Sequence, residues 1–510
     1  MKTILQRINA IISSRRFFRV TLVFFVFESV WIALSAVYPQ AFDEGFHFGL
    51  IQIYSHYWLP FMSGQPANAD VFGAVARDPS YLYHYLMSFP YRLIALVVHG
   101  QTAQVIILRL INVGLFGSGL ILFRRVLLRA QISSRLTNIS MLLFVLIPIV
   151  PQLAAHINYD NLLFPLTAWV CLLSFQATDE LLLHKPSVRT LLTLGTVCLL
   201  TSLVKYAFLP IFLGVVIFLA FITYRSFRGK FGLLWIRLWA SWRQQSRLAQ
   251  LVLLTLFIVG LGLFAQRDLV NLAHYHSLNP DCSAVLGVKA CSAYGPWDYT
   301  YTTHQAMEAQ AGTITYYNPI LYLAVWIYWL WFRLFFAING PASNYTNYPP
   351  LPLPSAAAAL IGIAGIIAVF KWRRQIFRGN PYIAFFFVIS ALYLASLWVE
   401  GYTQYHYTDQ LINMNGRYLL PILLLMAAIV GRAFSIALRN SMARKTILAV
   451  VAALFFLQGG GFLTFITRSD ASWDWPNSTV VHVNNAARKI THPVIIKGSR
   501  GYSTGYWFFN

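Results

Sequence analysis

The chain is 510 residues long, 58% hydrophobic and only 11% charged, with a mean hydropathy of +0.60. That balance excludes a soluble globular protein and points to an all-α polytopic membrane protein. The net charge of +22 would suit nucleic acid, but the basic residues gather on one side of the topology, where anionic lipid headgroups lie, so no nucleic-acid partner is expected.

Apolar runs near 20–38, 104–123, 137–156, 161–177, 190–204, 207–224, 250–266, 352–370, 381–399, 418–436 and 446–466 predict about eleven transmembrane helices. They must be helical, because lipid offers backbone amides no partner outside their own helix. The first run follows a basic stretch and lacks a small-residue cleavage site, so it reads as a retained span. Lys2 to Arg19, the 225–249 segment and Lys371-Trp372-Arg373-Arg374 share one side, and most carboxylates fall on the other. The Lys/Arg bias sets the N-terminus in the cytoplasm of a multi-pass plasma (inner) membrane protein. Loops 39–103 and 267–351 and the tail 467–510 then lie outside, with residues 1–466 as one transmembrane module. Aromatic residues at 16% suit Trp and Tyr belts at the two interfaces.

The first external loop opens with Asp43 and Glu44, followed by His47 and flanked by Phe42, Phe46 and Phe48. Solvated loop acids are one reading. The other is a partly desolvated pair able to take a proton from a hydroxyl or to hold a cation. Further on, Asp78-Pro79-Ser80-Tyr81-Leu82-Tyr83-His84-Tyr85 opens an amphipathic stretch to about residue 98. Pro79 suits its first turn, and the helix is expected to lie along the membrane as an aromatic shelf. Arg109 sits inside the second span, where a charge is costly and normally paired or functional. A first-loop carboxylate or a lipid phosphate would satisfy it.

His156-Ile157-Asn158-Tyr159-Asp160-Asn161 is the short outer turn between the third and fourth spans. Asp160 either caps the fourth span or joins Asp43, sharing a cation with it or dividing acid and base roles. Lys205-Tyr206 and Arg417-Tyr418 mark two more outer span ends, where snorkelling to headgroups competes with a role in binding phosphate. Segment 225–249 is basic and Trp-bearing, a surface-bound amphipathic helix on the inner side. Cys282 and Cys291 share an external loop, which would permit a disulfide. Residues 319–338, with Arg333 among them, are apolar enough to cross. A crossing would place the 371–374 cluster outside, so this segment is expected to lie on the outer side as an interfacial or re-entrant helix. Pro349 to Pro354 give a stiff entry to the next span.

Asp43-Glu44-x-x-His47, Pro79 to Tyr85, Arg109-Leu-Ile, Asn158-x-Asp160, Lys205-Tyr206 and Gly416-Arg417-Tyr418-x-x-Pro421 together resemble the GT-C superfamily of polyprenyl-phosphate-sugar-dependent glycosyltransferases. The protein mannosyltransferases and aminoarabinose transferases are of this kind. More closely, the motifs look like a branch of uncharacterised bacterial membrane proteins. The resemblance covers roughly residues 20–436 and implies a GT-C-like bundle of about eleven spans. It also implies an inverting transferase with a polyprenyl-phosphate-linked sugar donor and a cell-envelope glycan, lipid or protein as acceptor.

Under that resemblance Asp43 is the base, with Glu44 and Asp160 orienting the acceptor or binding a divalent cation. Arg109, Lys205 or Arg417 would stabilise the departing phosphate. His47, Tyr81, Tyr83, His84, Asn158, Tyr206 and Tyr418 would complete the substrate site. Two departures stand out: Tyr159 replaces the Pro of Asn-Pro-Asp, and Ser80 replaces the second Pro of the shelf. The chain has no large soluble C-terminal domain such as oligosaccharyltransferase catalytic subunits carry, which argues against N-glycan transfer. A transporter or flippase for lipid-linked saccharides is the alternative, and so is a non-catalytic envelope subunit. Transporters tend to place ionisable groups at mid-membrane, whereas here the acids cluster outside.

Overall fold

The computed structural model describes residues 2–309, 316–335, 337–341, 345–347, 352–412, 414–439, 465–466, 469 and 471–491. The principal helices run, in chain order, α1 (Arg15–Ser35), α2 (Glu44–Tyr54), α3 (Leu82–Val97), α4 (Gln101–Arg129) and α5 (Ser134–Val145). Next come α6 (Asp160–Leu182), α7 (Val188–Val204), α8 (Leu209–Phe227), α9 (Phe231–Arg243) and α10 (Arg247–Phe264). The series ends with α11 (Pro319–Phe335), α12 (Pro352–Phe377), α13 (Pro381–Thr408), α14 (Leu420–Ala437) and α15 (Ser478–Thr491).

Seven stretches among the described residues are long and apolar enough to cross a membrane: α1, α4, α6, Tyr206–Phe227, Arg247–Tyr275, α13 and Gly416–Ala437. The protein is a multi-pass membrane protein. Of the other expected spans, 352–370 lies within α12, and the rest look different. α7 has 17 residues, about 26 Å at ~1.5 Å per residue and short of a ~30 Å hydrocarbon core. The expected third span is broken: α5 stops at Val145 and a separate turn of helix resumes at Ile149–Ala154. Pro148 and Pro151, which cannot donate to an i−4 carbonyl, account for the break. The expected span 446–466 lies outside the described residues except for Phe465 and Ile466. Departures from an all-α fold are small: Ala337–Asn339 pairs antiparallel with Tyr345–Asn347, and Ala36 bridges Asp474.

Ser14, Ser133, Ser187, Ser246 and Asn380 each cap a helix start with a side-chain oxygen, satisfying amides that have no partner within the helix. The central contact is α4 on α6. Phe116 stacks on Phe164 with ring centroids 4.3 Å apart, and a Cβ at Gly119 would fall 2.4 Å from the Phe164 ring. Only glycine permits that approach. It fixes Arg109, on α4, relative to Asp160, at the head of α6. α7 packs along α6 and α14 packs along α12 and α13, bringing Lys205 and Arg417 to the same end.

α3 exposes Leu86, Leu93, Leu96 and Val97 beside exposed Trp58 and Leu59, the apolar stripe of a helix lying on a membrane. It begins at Leu82, not at Pro79. The Asp78 carboxylate accepts the Ser80 N–H at 2.8 Å, a local turn that keeps Pro79 outside the helix. α9 buries no residue and exposes Trp235, Ile236 and Trp239, in keeping with a surface helix within 225–249. α11 lays Tyr322 and Trp326 on Gly401 of α13 and Leu334 on Gly416. Cys282 and Cys291 are disulfide-bonded.

Candidate active site

Residues 37–44 leave α1 and fold back over its end. Phe42 and Asp43 both take left-handed backbone angles, φ +56° and +61°, which cost free energy in any residue with a Cβ and most in a bulky one. Neighbours impose the turn: Asn158 Nδ2 donates to the Phe42 carbonyl at 2.9 Å, and Glu44 is gripped from three sides. Its carboxylate accepts Arg109 Nε and Nη2, each at 2.7 Å, the Gln40 N–H at 3.1 Å and the Ile157 N–H at 3.2 Å. Arg109 directs its other N–H groups to the carbonyls of Ala33, Ala36 and Val37.

Both side chains are fully buried. Burial pushes the Glu44 carboxyl up, but the charge and hydrogen bonds of Arg109, with His156 and the Gln40 N–H, together hold the group below its ordinary value of 4.5. Arg109 has all five donors engaged. The pair is therefore a clamp. Of the two partners expected for Arg109, a first-loop carboxylate or a lipid phosphate, it holds the carboxylate of Glu44.

Asp43 is open, with a side chain 54% exposed whose Oδ2 accepts Arg417 Nη2 at 2.8 Å. Arg417 is seated by a tight turn in which Asn415 Oδ1 accepts its N–H at 3.0 Å. A Cβ at Gly416 would lie 2.4 Å from Leu334 Cα, so glycine alone lets α11 dock there. Beside this pair Lys205 Nζ donates to Asp160 Oδ1 at 2.7 Å, both groups nearly buried. The ammonium faces the Tyr159 ring at 4.5 Å and the Tyr418 ring at 5.1 Å, and Arg417 faces the Tyr418 ring at 5.4 Å. These are short-range cation–π contacts.

The four charges act on one another. Burial holds the Lys205 amine below its usual range, Asp160 and Asp43 oppose it, and Arg417 reinforces it. Arg417 Nε and Nη1 and Asp160 Oδ2 are buried and have no hydrogen-bond partner among the described residues. Among those residues no group of three or more His, Cys, Asp or Glu converges as a metal-ligand set. Asp43 and Asp160 each face a basic side chain.

Behind Asp43 lies a neutral relay of side chains. Asn158 Oδ1 accepts the Asp160 N–H at 2.9 Å, which fixes the amide so that Nδ2 donates to His47 Nε2 at 3.0 Å. His47 then carries its proton on Nδ1 and donates to His84 Nε2 at 2.8 Å. Burial, with His84, Arg417 and Lys205 adding to it, holds His47 well below 6.5, and burial holds His84 at about 3. Both histidines titrate in the unfolded chain before they do in the native one. The sign follows: as pH falls below 6.5 the unfolded state takes up protons first and stability drops. Each histidine contributes up to about 1.4 kcal/mol per pH unit. Between pH 6.5 and 5 the melting temperature of the purified protein in detergent should therefore fall more steeply with pH than that of His84→Gln. Equal slopes for the two contradict the assignment.

The structure gathers Asp43, His47, Asn158, Asp160, Lys205, Arg417 and Tyr418 at one end of the bundle, with Tyr206 adjoining. It does not offer Tyr81, Tyr83 or His84 to a sugar, because all three are fully buried. Tyr83 donates to Asn112 Oδ1 at 2.8 Å, and the Arg267 guanidinium lies 4.4 Å over the Tyr81 ring. The expected aromatic shelf is a packing surface. Both motif departures have partners: Ser80 Oγ accepts the Tyr206 N–H at 3.1 Å, and the Tyr159 ring meets Lys205 and packs edge-on to His47. Sequence reasoning missed Asn112, Asn161 and Arg267. Polar residues inside predicted spans were the signal for the two asparagines.

No protein-family model and no curated protein matches the chain. Among solved structures it is similar to an oligosaccharyltransferase of Archaeoglobus fulgidus, in its crystal structure with Zn and sulfate, at a TM-score of 0.42 and 12% identity. The match covers 96% of this chain and 58% of that one, so the chain spans less than two thirds of that protein's length.

Proposed function

We propose that the protein is an inverting glycosyltransferase of the GT-C type. It moves a sugar from a polyprenyl-phosphate donor to a cell-envelope acceptor at the extracytoplasmic face. One observation carries the reading: an exposed carboxylate, Asp43, stands beside a buried arginine whose Nε and Nη1 have no partner among the described residues. Buried guanidinium donors without partners cost free energy, which an incoming oxyanion would recover. Phosphate fits that chemistry, and Lys205 adds a second positive charge.

In the reaction the acceptor hydroxyl gives its proton to Asp43 Oδ1, which no described residue bonds. The hydroxyl oxygen attacks the anomeric carbon, and the bond from that carbon to the phosphate oxygen breaks. Its electron pair leaves with the polyprenyl phosphate, whose growing charge Arg417 and Lys205 offset. Asp160 orients Lys205. Asn158 and His47 support the turn that aims Asp43.

The test is binding of a polyprenyl-phosphate-linked sugar to the purified protein. Arg417→Ala should weaken it about 10- to 100-fold, the loss of one or two charge-assisted hydrogen bonds. Unchanged donor affinity removes the phosphate role.

A further inference from the structure

The segment after the last described span has no part in the reaction just proposed, yet it touches the turn that carries Asp43. Its backbone zips onto the end of α1: the Val37 N–H donates to the Trp473 carbonyl at 2.8 Å, and the Trp475 N–H donates to the Ser35 carbonyl at 2.9 Å. A buried ion pair anchors this zipper. Asp474 accepts Arg488 Nη1 at 2.7 Å and Nη2 at 3.0 Å, and Asn484 Nδ2 at 2.7 Å. Trp31 of α1 donates to Asn484 Oδ1 at 3.1 Å, tying α15 to α1 a second time. The Trp475 ring lies 5.6 Å from the Arg109 guanidinium. The stretch of α1 end held by this segment, Ser35 to Val37, supplies two of the carbonyls, Ala36 and Val37, that Arg109 uses.

We propose that residues 471–491 form a strap in which Trp475 and Asp474 are positioning residues for Asp43, acting through Arg109 and Glu44. The path is one of direct contacts. Arg488 holds Asp474, Asp474 registers Trp473 and Trp475 on the α1 end, and that end with the Trp475 ring fixes Arg109. Arg109 grips Glu44, and Glu44 is the residue next to Asp43. Its catalytic consequence rests on the transferase reading above. Its structural content does not.

Hydrogen exchange separates the two. The amides of Gln40 and Ile157 bond directly to the Glu44 carboxylate, so they report on the clamp. The Tyr206 amide bonds to Ser80 instead and serves as an internal control. In Trp475→Ala, exchange at Gln40 and Ile157 should quicken on the order of tenfold while Tyr206 keeps its wild-type rate, as expected of a local opening.

Trp475→Phe should restore protection, Lys489→Ala on the exposed face of α15 should leave it unchanged, and Arg488→Gln should reproduce the Trp475→Ala pattern. In sugar transfer, Trp475→Ala should lower kcat about tenfold with donor KM within about twofold, the mark of a displaced reacting group with an intact donor site. Wild-type exchange at Gln40 and Ile157 in both Trp475→Ala and Arg488→Gln overturns the strap. So does acceleration that extends equally to Tyr206. If exchange responds as expected but the wild-type protein transfers no sugar, the strap stands and the transferase reading falls.

Discussion

Arg109→Ala should lose about 3–5 kcal/mol of stability, the cost of breaking a fully buried ion pair and leaving one charge without a partner. Here the loss extends beyond the pair. Without the guanidinium, the carbonyls of Ala33, Ala36 and Val37 lose their donor along with Glu44. Replacing both partners by apolar groups, as in Arg109→Met with Glu44→Leu, should recover only part of the loss, because those carbonyls and the amides of Gln40 and Ile157 stay unsatisfied.

The pH dependence has a definite sign. Glu44 titrates below its ordinary value of 4.5 in the folded protein. Its contribution is therefore complete above that pH and is lost progressively as pH falls from there through the lower folded value. Melting curves of the single and double variants in detergent at pH 7 check the first claim. A double variant as stable as wild type would mean that the backbone bonds contribute nothing.

How much of this was legible from residues alone differs from one part to the next. The membrane class, the two acids at the end of the first span and the cations at the span ends could be read, because apolar run length and the cost of a charge in lipid are properties of the chain itself. That Asp43 and Glu44 would divide their tasks could not. Two adjacent carboxylates look alike in a sequence, and only the αL turn at Phe42–Asp43 sends one to solvent and the other onto Arg109. The shelf failed for a related reason. Tyr81, Tyr83 and His84 have the composition of a sugar platform, but α3 turns those rings inward against Asn112, Arg267 and His47. Nothing near residue 43 in the sequence signals Trp475, more than 400 positions later, because strap and turn meet only through the fold.

Asp43→Asn should lower sugar transfer by about 10²- to 10⁴-fold, the usual contribution of a positioned general base, while costing far less stability than Arg109→Ala. The asymmetry follows from exposure. The Asp43 side chain is about half in solvent, and its hydrogen bond among the described residues is the one from Arg417 Nη2. An asparagine oxygen at the same place still accepts that bond, so Arg417 keeps a partner and the turn keeps its shape. What disappears is the capacity to take a proton. Glu44→Gln makes the reverse substitution at the neighbouring residue, and it should melt the clamp first and lose transfer only as a consequence.

The two variants therefore part along different axes: Asp43→Asn in kcat with an unchanged melting temperature and donor affinity, Glu44→Gln in melting temperature. Asp43→Asn turning over at the wild-type rate, with donor bound normally, would remove Asp43 as the base. The reaction would then need another proton acceptor beside Arg417. Asp160 has an oxygen there with no partner among the described residues, and Asp160→Asn would be the variant to measure next.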